Sequence, residues 1–326
     1  MTTHEQISTA QPIDRDAAAP ESSDGIDRRH FLKCMAWAGT GVLWTVSGGI
    51  LSSCTFGGNA AAKQGDFTFA QISDSHIGFN KAPNTDVTAT LHEAIAKVNA
   101  LPARPAFVLH TGDLSHLSKP DEFDTVEQSL KSAKTDLVFY VPGEHDVFSD
   151  NGKQYFDRFG GGATGQGWSS FDYKGVHFVG LNNVMNLQTN GLGNLGPEQL
   201  GWLQKDVAGL AASTPIVVYA HIPLWTIYPA WGWGTQDSEQ ALSYLRRFGS
   251  VTVLNGHIHQ VLQKVEGNIT FHTARGTAFP QPAPGTAPAP GPMLVPANQL
   301  RKMLGIASVS YVEHKRPLAI VDSTLG

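Results

Sequence analysis

Seven side chains with nitrogen or oxygen donors stand just beyond short apolar runs: Asp74, His76, Asp113, Glu144, His221, His257 and His259. An apolar run that ends in a turn and then a donor is how a buried strand delivers one polar group to the open end of a sheet. Taken singly, none of them is distinctive, because Asp-x-His pairs and lone histidines are common. Their combination is, since ligands of open α/β sheets bind outside the carboxyl ends of the strands. Both cysteines, Cys34 and Cys54, precede residue 60, so the set contains no sulfur. Imidazole and carboxylate donors suit Mn, Fe or Zn better than calcium. Two such ions about 3.5–4 Å apart need a shared ligand, and the paired oxygens of Asp113 can supply it.

That site would act on anions. Two divalent ions exceed the three carboxylates by a single positive charge, so a small-molecule phosphoester is drawn to the open coordination positions. The metals would lower the pKa of water, set a metal-bound hydroxide in line with phosphorus and balance charge on the transferring oxygens. A net charge of -5, with 16% charged and 41% hydrophobic residues, describes a folded chain without a basic footprint. No nucleic-acid polymer is expected as a partner.

The elements that position these donors follow from hydrophobic spacing. Phe67 to Ile72, Ala106 to Leu109 and Asp136 to Val141 read as strands, separated by helices over Val87 to Asn99 and Asp121 to Lys134. This βαβαβ order predicts right-handed crossovers and a largely parallel sheet. Trp168 to Tyr173 and Val176 to Leu181 read as a hairpin about Lys174-Gly175. A helix opening at Pro197, a strand at Ile216 to Ala220, a helix at Ser238 to Phe248 and a strand at Val251 to Asn255 follow. Val261 to Val265 and Ile269 to Thr273 form a further hairpin. Seven prolines between Phe279 and Pro296 predict a strap without regular structure. Ala307 to Val312 and Leu318 to Val321 are expected as two edge strands of the second sheet. One two-sheet sandwich with helices outside is the simplest arrangement over residues 63–326.

Residues 1–62 read differently. Met1 to Gly25 is small and polar, as in disordered leaders. Arg28-Arg29-His30-Phe31-Leu32-Lys33 then precedes an apolar run from Cys34 to Leu51, the layout of an export signal. The arginine pair resembles a twin-arginine signal, with Asp27 where Ser or Thr is usual. It implies the twin-arginine export machinery as a partner and a chain that crosses the membrane already folded. Leu51-Ser52-Ser53-Cys54 resembles a lipoprotein box, with Cys54 as the lipid-bearing residue; cleavage near Gly57 to Ala62 is the alternative. The expected destination is the periplasm, either soluble or as a lipoprotein on the outer side of the inner membrane or in the outer membrane.

In order along the chain, Asp74-Ser75-His76, Gly112-Asp113, Gly143-Glu144-His145-Asp146, His221 and Gly256-His257-Ile258-His259 resemble the signature of the calcineurin-like metallophosphoesterases. The resemblance runs from about Phe67 to Thr273 and implies a four-layer αββα sandwich. It implies that Asp74, His76 and His259 serve one metal, that Glu144, His221 and His257 serve the other, and that Asp113 bridges. His145 would stand beside the phosphate as transition-state donor or leaving-group acid, with Asp146 orienting it. Glu144 departs from the pattern, which has Asn there. Its extra negative charge favours a monoanionic diester over a dianionic monoester, or a more highly charged metal. The same carboxylate could instead compete with substrate, giving an impaired, metal-retaining ligand-binding protein of the cell envelope.

Trp225, Tyr228, Trp231 and Trp233 fall among glycines and a proline directly after His221. They are expected either as a wall against the substrate or as a packed lid or subunit interface. His116, three residues beyond Asp113, reaches a phosphate oxygen, supports the ligands or is simply exposed. Nothing in the sequence fixes the oligomeric state.

Overall fold

The computed structural model describes residues 65–326 apart from 136, 314 and 316, together with two short strands nearer the N-terminus. The chain divides into two units, Met1–Ala60 and Ala61–Gly326. In the first, Thr45–Ser47 pairs antiparallel with Ile50–Ser52. Those strands apart, the expected leader, export signal and Cys54 lipid site lie outside the described residues. Among the described residues no helix is long and apolar enough to cross a membrane.

The second unit begins β1 (Phe67–Ile72), α1 (Val87–Asn99), β2 (Val108–His110), α2 (Pro120–Leu130), β3 (Val138–Tyr140) and α3 (Lys153–Phe159). It continues β4 (Ser169–Tyr173), β5 (Val176–Gly180), α4 (Gly196–Ala208), β6 (Ile216–Ala220), α5 (Ser238–Leu245) and β7 (Val251–Asn255). β8 (Gln263–Glu266), β9 (Ile269–Thr273), α6 (Ala297–Met303), β10 (Gly305–Tyr311) and β11 (Ala319–Thr324) complete it. Two mixed sheets result, a five-stranded one ordered β11-β10-β1-β2-β3 and a six-stranded one ordered β8-β9-β7-β6-β5-β4. β1, β2 and β3 run parallel, as do β5, β6, β7 and β9.

Period-two alternation explains the layers. On β1, Phe67 and Phe69 enter a core shared by both sheets, while Ala70 and Ile72 face α1 and α2. On β6, Val217 and Tyr219 face that shared core, while Ile216, Val218 and Ala220 pack under α4 and α5. Helices therefore cover both outer faces, and the architecture is the expected αββα sandwich.

The placement of the last two strands needs correction. Gly305–Tyr311 is an interior strand of the five-stranded sheet, paired antiparallel to β1 on one side and β11 on the other. It belongs with β1, and of these two last strands only β11 is an edge. Its Ala307, Val309 and Tyr311 fill the space between the sheets beside Phe67 and Phe69 of β1. The segment just before it folds into α6, whose roughly two turns bury Leu300. The strap over 279–296 has no regular element, as its prolines dictate, and Met293 N–H donates to the Pro280 carbonyl across its base (2.8 Å).

Candidate metal centre

The loops that leave β1 and β2 run side by side past the sheet. Asp74 N–H donates to the Gly112 carbonyl (3.0 Å), His76 N–H to the Asp113 carbonyl (2.9 Å) and Ile77 N–H to the Leu114 carbonyl (2.9 Å). Gln71, the inward-facing residue near the end of β1, reaches the second sheet by donating to the Asn255 carbonyl (3.2 Å). Asn255 in turn donates to the Ala220 carbonyl (2.9 Å). This buried polar seam fixes β1, β6 and β7, and with them three of the donor-bearing loops, in one frame.

Asp74, His76, Asp113, His257 and His259 all have left-handed backbone, with φ of 53°, 40°, 53°, 67° and 52°. Each costs of order 1–3 kcal/mol, and such residues persist where surrounding structure imposes them, commonly at functional sites. Two glycines permit the approach. Gly112 (φ 93°) lies against the His221 ring, and Gly143 lies against the Asp113 carboxylate; a Cβ at either would collide with those side chains.

Two donor groups form. In one, His259 Nε2 is 3.3 Å from Asp74 Oδ1 and 3.2 Å from His76 Nε2. In the other, His221 Nε2 is 2.9 Å from Glu144 Oε2, and His257 Nδ1 is 3.0 Å from Glu144 Oε1. Asp113 Oδ2 lies between them, 3.4 Å from His76 Nε2 and 3.4 Å from His221 Nε2. All seven residues singled out in the sequence thus converge. The sharing differs in detail from the expected oxygen pair, because Oδ1 accepts from His145 N–H (2.9 Å) and only Oδ2 faces both groups.

The donor chemistry fits cations. His221 Nδ1 donates to the Thr111 carbonyl (2.7 Å) and His259 Nδ1 to the Phe279 carbonyl (2.6 Å). In the neutral imidazoles this leaves Nε2 lone pairs aimed at carboxylate oxygens, a repulsive arrangement that a positive ion between them makes attractive. Asp74 Oδ2, Glu144 Oε2 and His257 Nε2 are buried without hydrogen-bond partners. Burial opposes ionisation of Glu144, yet His257 and His221 hold its pKa well below the usual value. Burial likewise opposes charge on His221, and Asp113 with Glu144 outweighs it, holding the pKa well above the ordinary imidazole range. The field that would draw a proton here also draws a metal.

His145 occupies the one-turn helix Glu144–Asp146 and donates Nδ1–H to the His116 carbonyl (2.8 Å), leaving Nε2 free to face a ligand. Asp146 lies beneath, fully buried. It accepts from Ser115 N (2.8 Å) and Oγ (3.0 Å), Leu114 N (3.1 Å) and Gly143 N (3.0 Å). Burial and the Asp113 charge push its pKa up to about 7, against the opposing pull of those hydrogen bonds. Its role in space is to tie the Asp113 loop to the Glu144 turn rather than to touch the His145 ring.

His116 stacks on His145 (4.9 Å, 15°) and lies 3.4 Å from His76, Nδ1 to Nδ1; burial and His145 lower its pKa to about 4. The aromatic stretch goes elsewhere. Trp233 is fully buried, Trp225 packs on Phe271 (5.0 Å), and Trp231 contacts Tyr228 and Trp233 edge-on. None of the four lines the cleft that opens beside His145. Sequence reading missed Phe279, whose ring stacks on His76 (4.8 Å) and packs on His259 (4.7 Å). The only available signal was an apolar Ala278-Phe279 pair at the head of the prolines.

The chain belongs to the calcineurin-like phosphoesterases, whose family pattern matches residues 67–261. It is 26% identical over 163 residues to a probable glycerophosphodiester phosphodiesterase of Arcobacter nitrofigilis, covering 47% of this chain and 56% of that protein. It is 25% identical to a serine/threonine-protein phosphatase of Danio rerio, covering 60% and 71%. A probable cyclic nucleotide phosphodiesterase of Rhodopseudomonas palustris is 24% identical, covering 64% and 78%. Among solved structures, a dimetal phosphatase from Danio rerio superimposes with a TM-score of 0.56 at 15% identity, covering 80% of this chain and 96% of that one. A purple acid phosphatase from yellow lupin gives 0.56 at 12% identity, covering 80% and 52%. These structural likenesses speak for the fold.

Proposed function

We propose that this protein is a dinuclear metal-dependent phosphoesterase that hydrolyses small phosphodiesters in preference to monoesters. The observation that carries it is Asp113 Oδ2, equally distant at 3.4 Å from an imidazole of each donor group. Asp74, His76 and His259 would hold one ion, Glu144, His221 and His257 the other, with Asp113 shared. The bound ions would supply an acidified water and positive charge opposite the phosphoryl oxygens. The protein does the rest. His145, fixed at Nδ1 by the His116 carbonyl, offers Nε2 to protonate the departing alcohol oxygen. Asp146 positions the two loops, and Phe279 closes one side of the histidine cluster against water.

The diester preference rests on charge. Glu144 stands at a position where a neutral amide would leave the centre one unit more positive, and a monoanionic diester suffers less from that loss than a dianionic monoester. Relatives named as glycerophosphodiester and cyclic nucleotide phosphodiesterases lend support. Mn, Fe or Zn suits the nitrogen and oxygen donors. Elemental analysis of the natively produced protein, combined with a phosphomonoester and phosphodiester panel, tests this reading. Fewer than two metals per chain, or no turnover of either class with two bound, would defeat it.

The Arg28-Arg29 pair and the apolar run behind it support export through the twin-arginine machinery, with delivery to the periplasm either soluble or lipidated at Cys54. Replacing Arg28 and Arg29 together by lysine should hold the protein in the cytoplasm. Labelled fatty acid should appear in the wild type and vanish in Cys54→Ala if the lipid is attached there.

A further inference from the structure

A cleft of about 570 Å³ opens directly beside the candidate metal centre. His116, Glu144 and His145 form its polar end. The remainder is walled by Leu117, Val147, Phe148, Val184, Met185 and Leu187, with Asn151 as the one further polar side chain. Neither lysine nor arginine lines it.

Three large hydrophobic residues in this wall are exposed: Phe148 at 60%, Leu187 at 42% and Leu117 at 39%. Scattered exposed apolar side chains are ordinary, but a contiguous set on one concave surface marks a binding site. The wall also stands on a packed base. Val147, Val184 and Ile222 form a small buried cluster with Met185 against it, and Ile222 directly follows His221. Phe148 presents its ring edge-on to His145 (6.1 Å, 87°). The apolar surface is therefore held in register with the group that faces the reacting phosphate.

We infer that this cleft binds an apolar arm of the phosphoester substrate, an alkyl, acyl or aryl group attached through the ester oxygen. This rests on the phosphoesterase reading and narrows it. A second phosphate or a carboxylate on that arm would meet no cation and would approach Glu144. A polyhydroxylated arm would find only Asn151 for its hydroxyls, and the desolvation of the others would go uncompensated. An apolar arm removes Phe148, Leu187 and Leu117 from water, and the volume accommodates one of several carbons. Esters of acyl-bearing or long-chain alkyl groups and esters of small apolar alcohols share this chemistry.

Alkylphosphonates have one arm and are not hydrolysed, so they isolate binding from turnover. Calorimetry on the metal-loaded protein with methyl-, butyl- and octylphosphonate should show affinity rising about threefold per methylene over the first few carbons. Phe148→Ala and Leu187→Ala should flatten that series while leaving methylphosphonate affinity within about twofold. Both residues are exposed, so neither change threatens folding. Equal affinity across the series, or a rising series untouched by both substitutions, would overturn the inference even if phosphodiesters were turned over normally. Conversely, a rising series in a protein that hydrolyses no ester would uphold the cleft and defeat the catalytic reading.

Discussion

The backbone N–H of His145 donates to Asp113 Oδ1 at 2.9 Å. One residue therefore fixes the carboxylate that faces both donor groups and, through its ring, faces the cleft. The bond orients Asp113 so that Oδ2 alone is shared, and it does so through the main chain. Substitution of the His145 side chain leaves that contact in place, so the two roles can be separated.

His145→Ala should consequently retain its metals while losing turnover. A positioned general acid contributes about 10²–10⁴-fold, and a loss in kcat of that size is expected. Metal content by mass spectrometry should match the wild type. Esters with strongly acidic leaving groups should suffer least, because their oxygens depart without a proton. Equal losses across leaving groups would argue against proton donation by this ring.

Asp146→Asn should damage stability more than chemistry. Asp146 receives four hydrogen bonds, three of them from the backbone of the loops that carry Asp113 and Glu144. An amide has one oxygen for those donors and turns its own N–H groups toward the remainder. Leaving buried donors unmet costs about 1–3 kcal/mol, and more where a charged acceptor is lost. Urea unfolding should show a loss of about 3 kcal/mol, with part of any activity defect restored by excess metal. An unchanged urea midpoint would contradict the positioning role.

The five donor blocks were legible in the sequence because each follows an apolar strand, and strand ends are where a parallel sheet exposes side chains. The βαβαβ order, the strap and the αββα layering follow from the same periodicities and the family resemblance. Placement of Gly305–Tyr311 beside Phe67–Ile72 was not, since pairing across the whole length of the unit leaves no local trace. Phe148 and the Val184–Leu187 segment approach one another from loops far apart in the chain, so no spacing rule links them. The four residues of the aromatic stretch looked functional because their types are rare, yet the interior position of Trp233 shows packing using the same types.

Away from the metal centre, His177 on β5 is buried between two carboxylates, with Nδ1 2.8 Å from Asp172 and Nε2 2.9 Å from Asp206. Burial lowers its pKa, but the hydrogen bonds to Asp206 and Asp172 outweigh that and raise it above 6.5. A folded-state pKa above the unfolded value means that the contribution is fully present below pH 6.5. It declines as pH rises through the folded-state value. Urea midpoints should therefore fall on going upward from pH 6.5. In His177→Gln that dependence should flatten; an identical pH slope in the variant would place its origin elsewhere.

Glu144 is the residue on which substrate charge should turn. Its two oxygens meet His221 at 2.9 Å and His257 at 3.0 Å, so it reaches both imidazoles of one donor group at once. Glu144→Asn shortens the side chain and removes its charge, while Glu144→Gln removes the charge and keeps the reach. Both should weaken retention of one ion, read as a chelator concentration that strips one metal of two about tenfold sooner. With excess metal restored, both should shift the ratio of monoester to diester turnover toward monoesters, because the centre gains one positive unit. Should activity toward both classes rise together in each variant, the wild-type carboxylate would be competing with substrate, and the chain would be better described as a metal-retaining binding protein. A change confined to Glu144→Asn would assign the effect to length rather than charge.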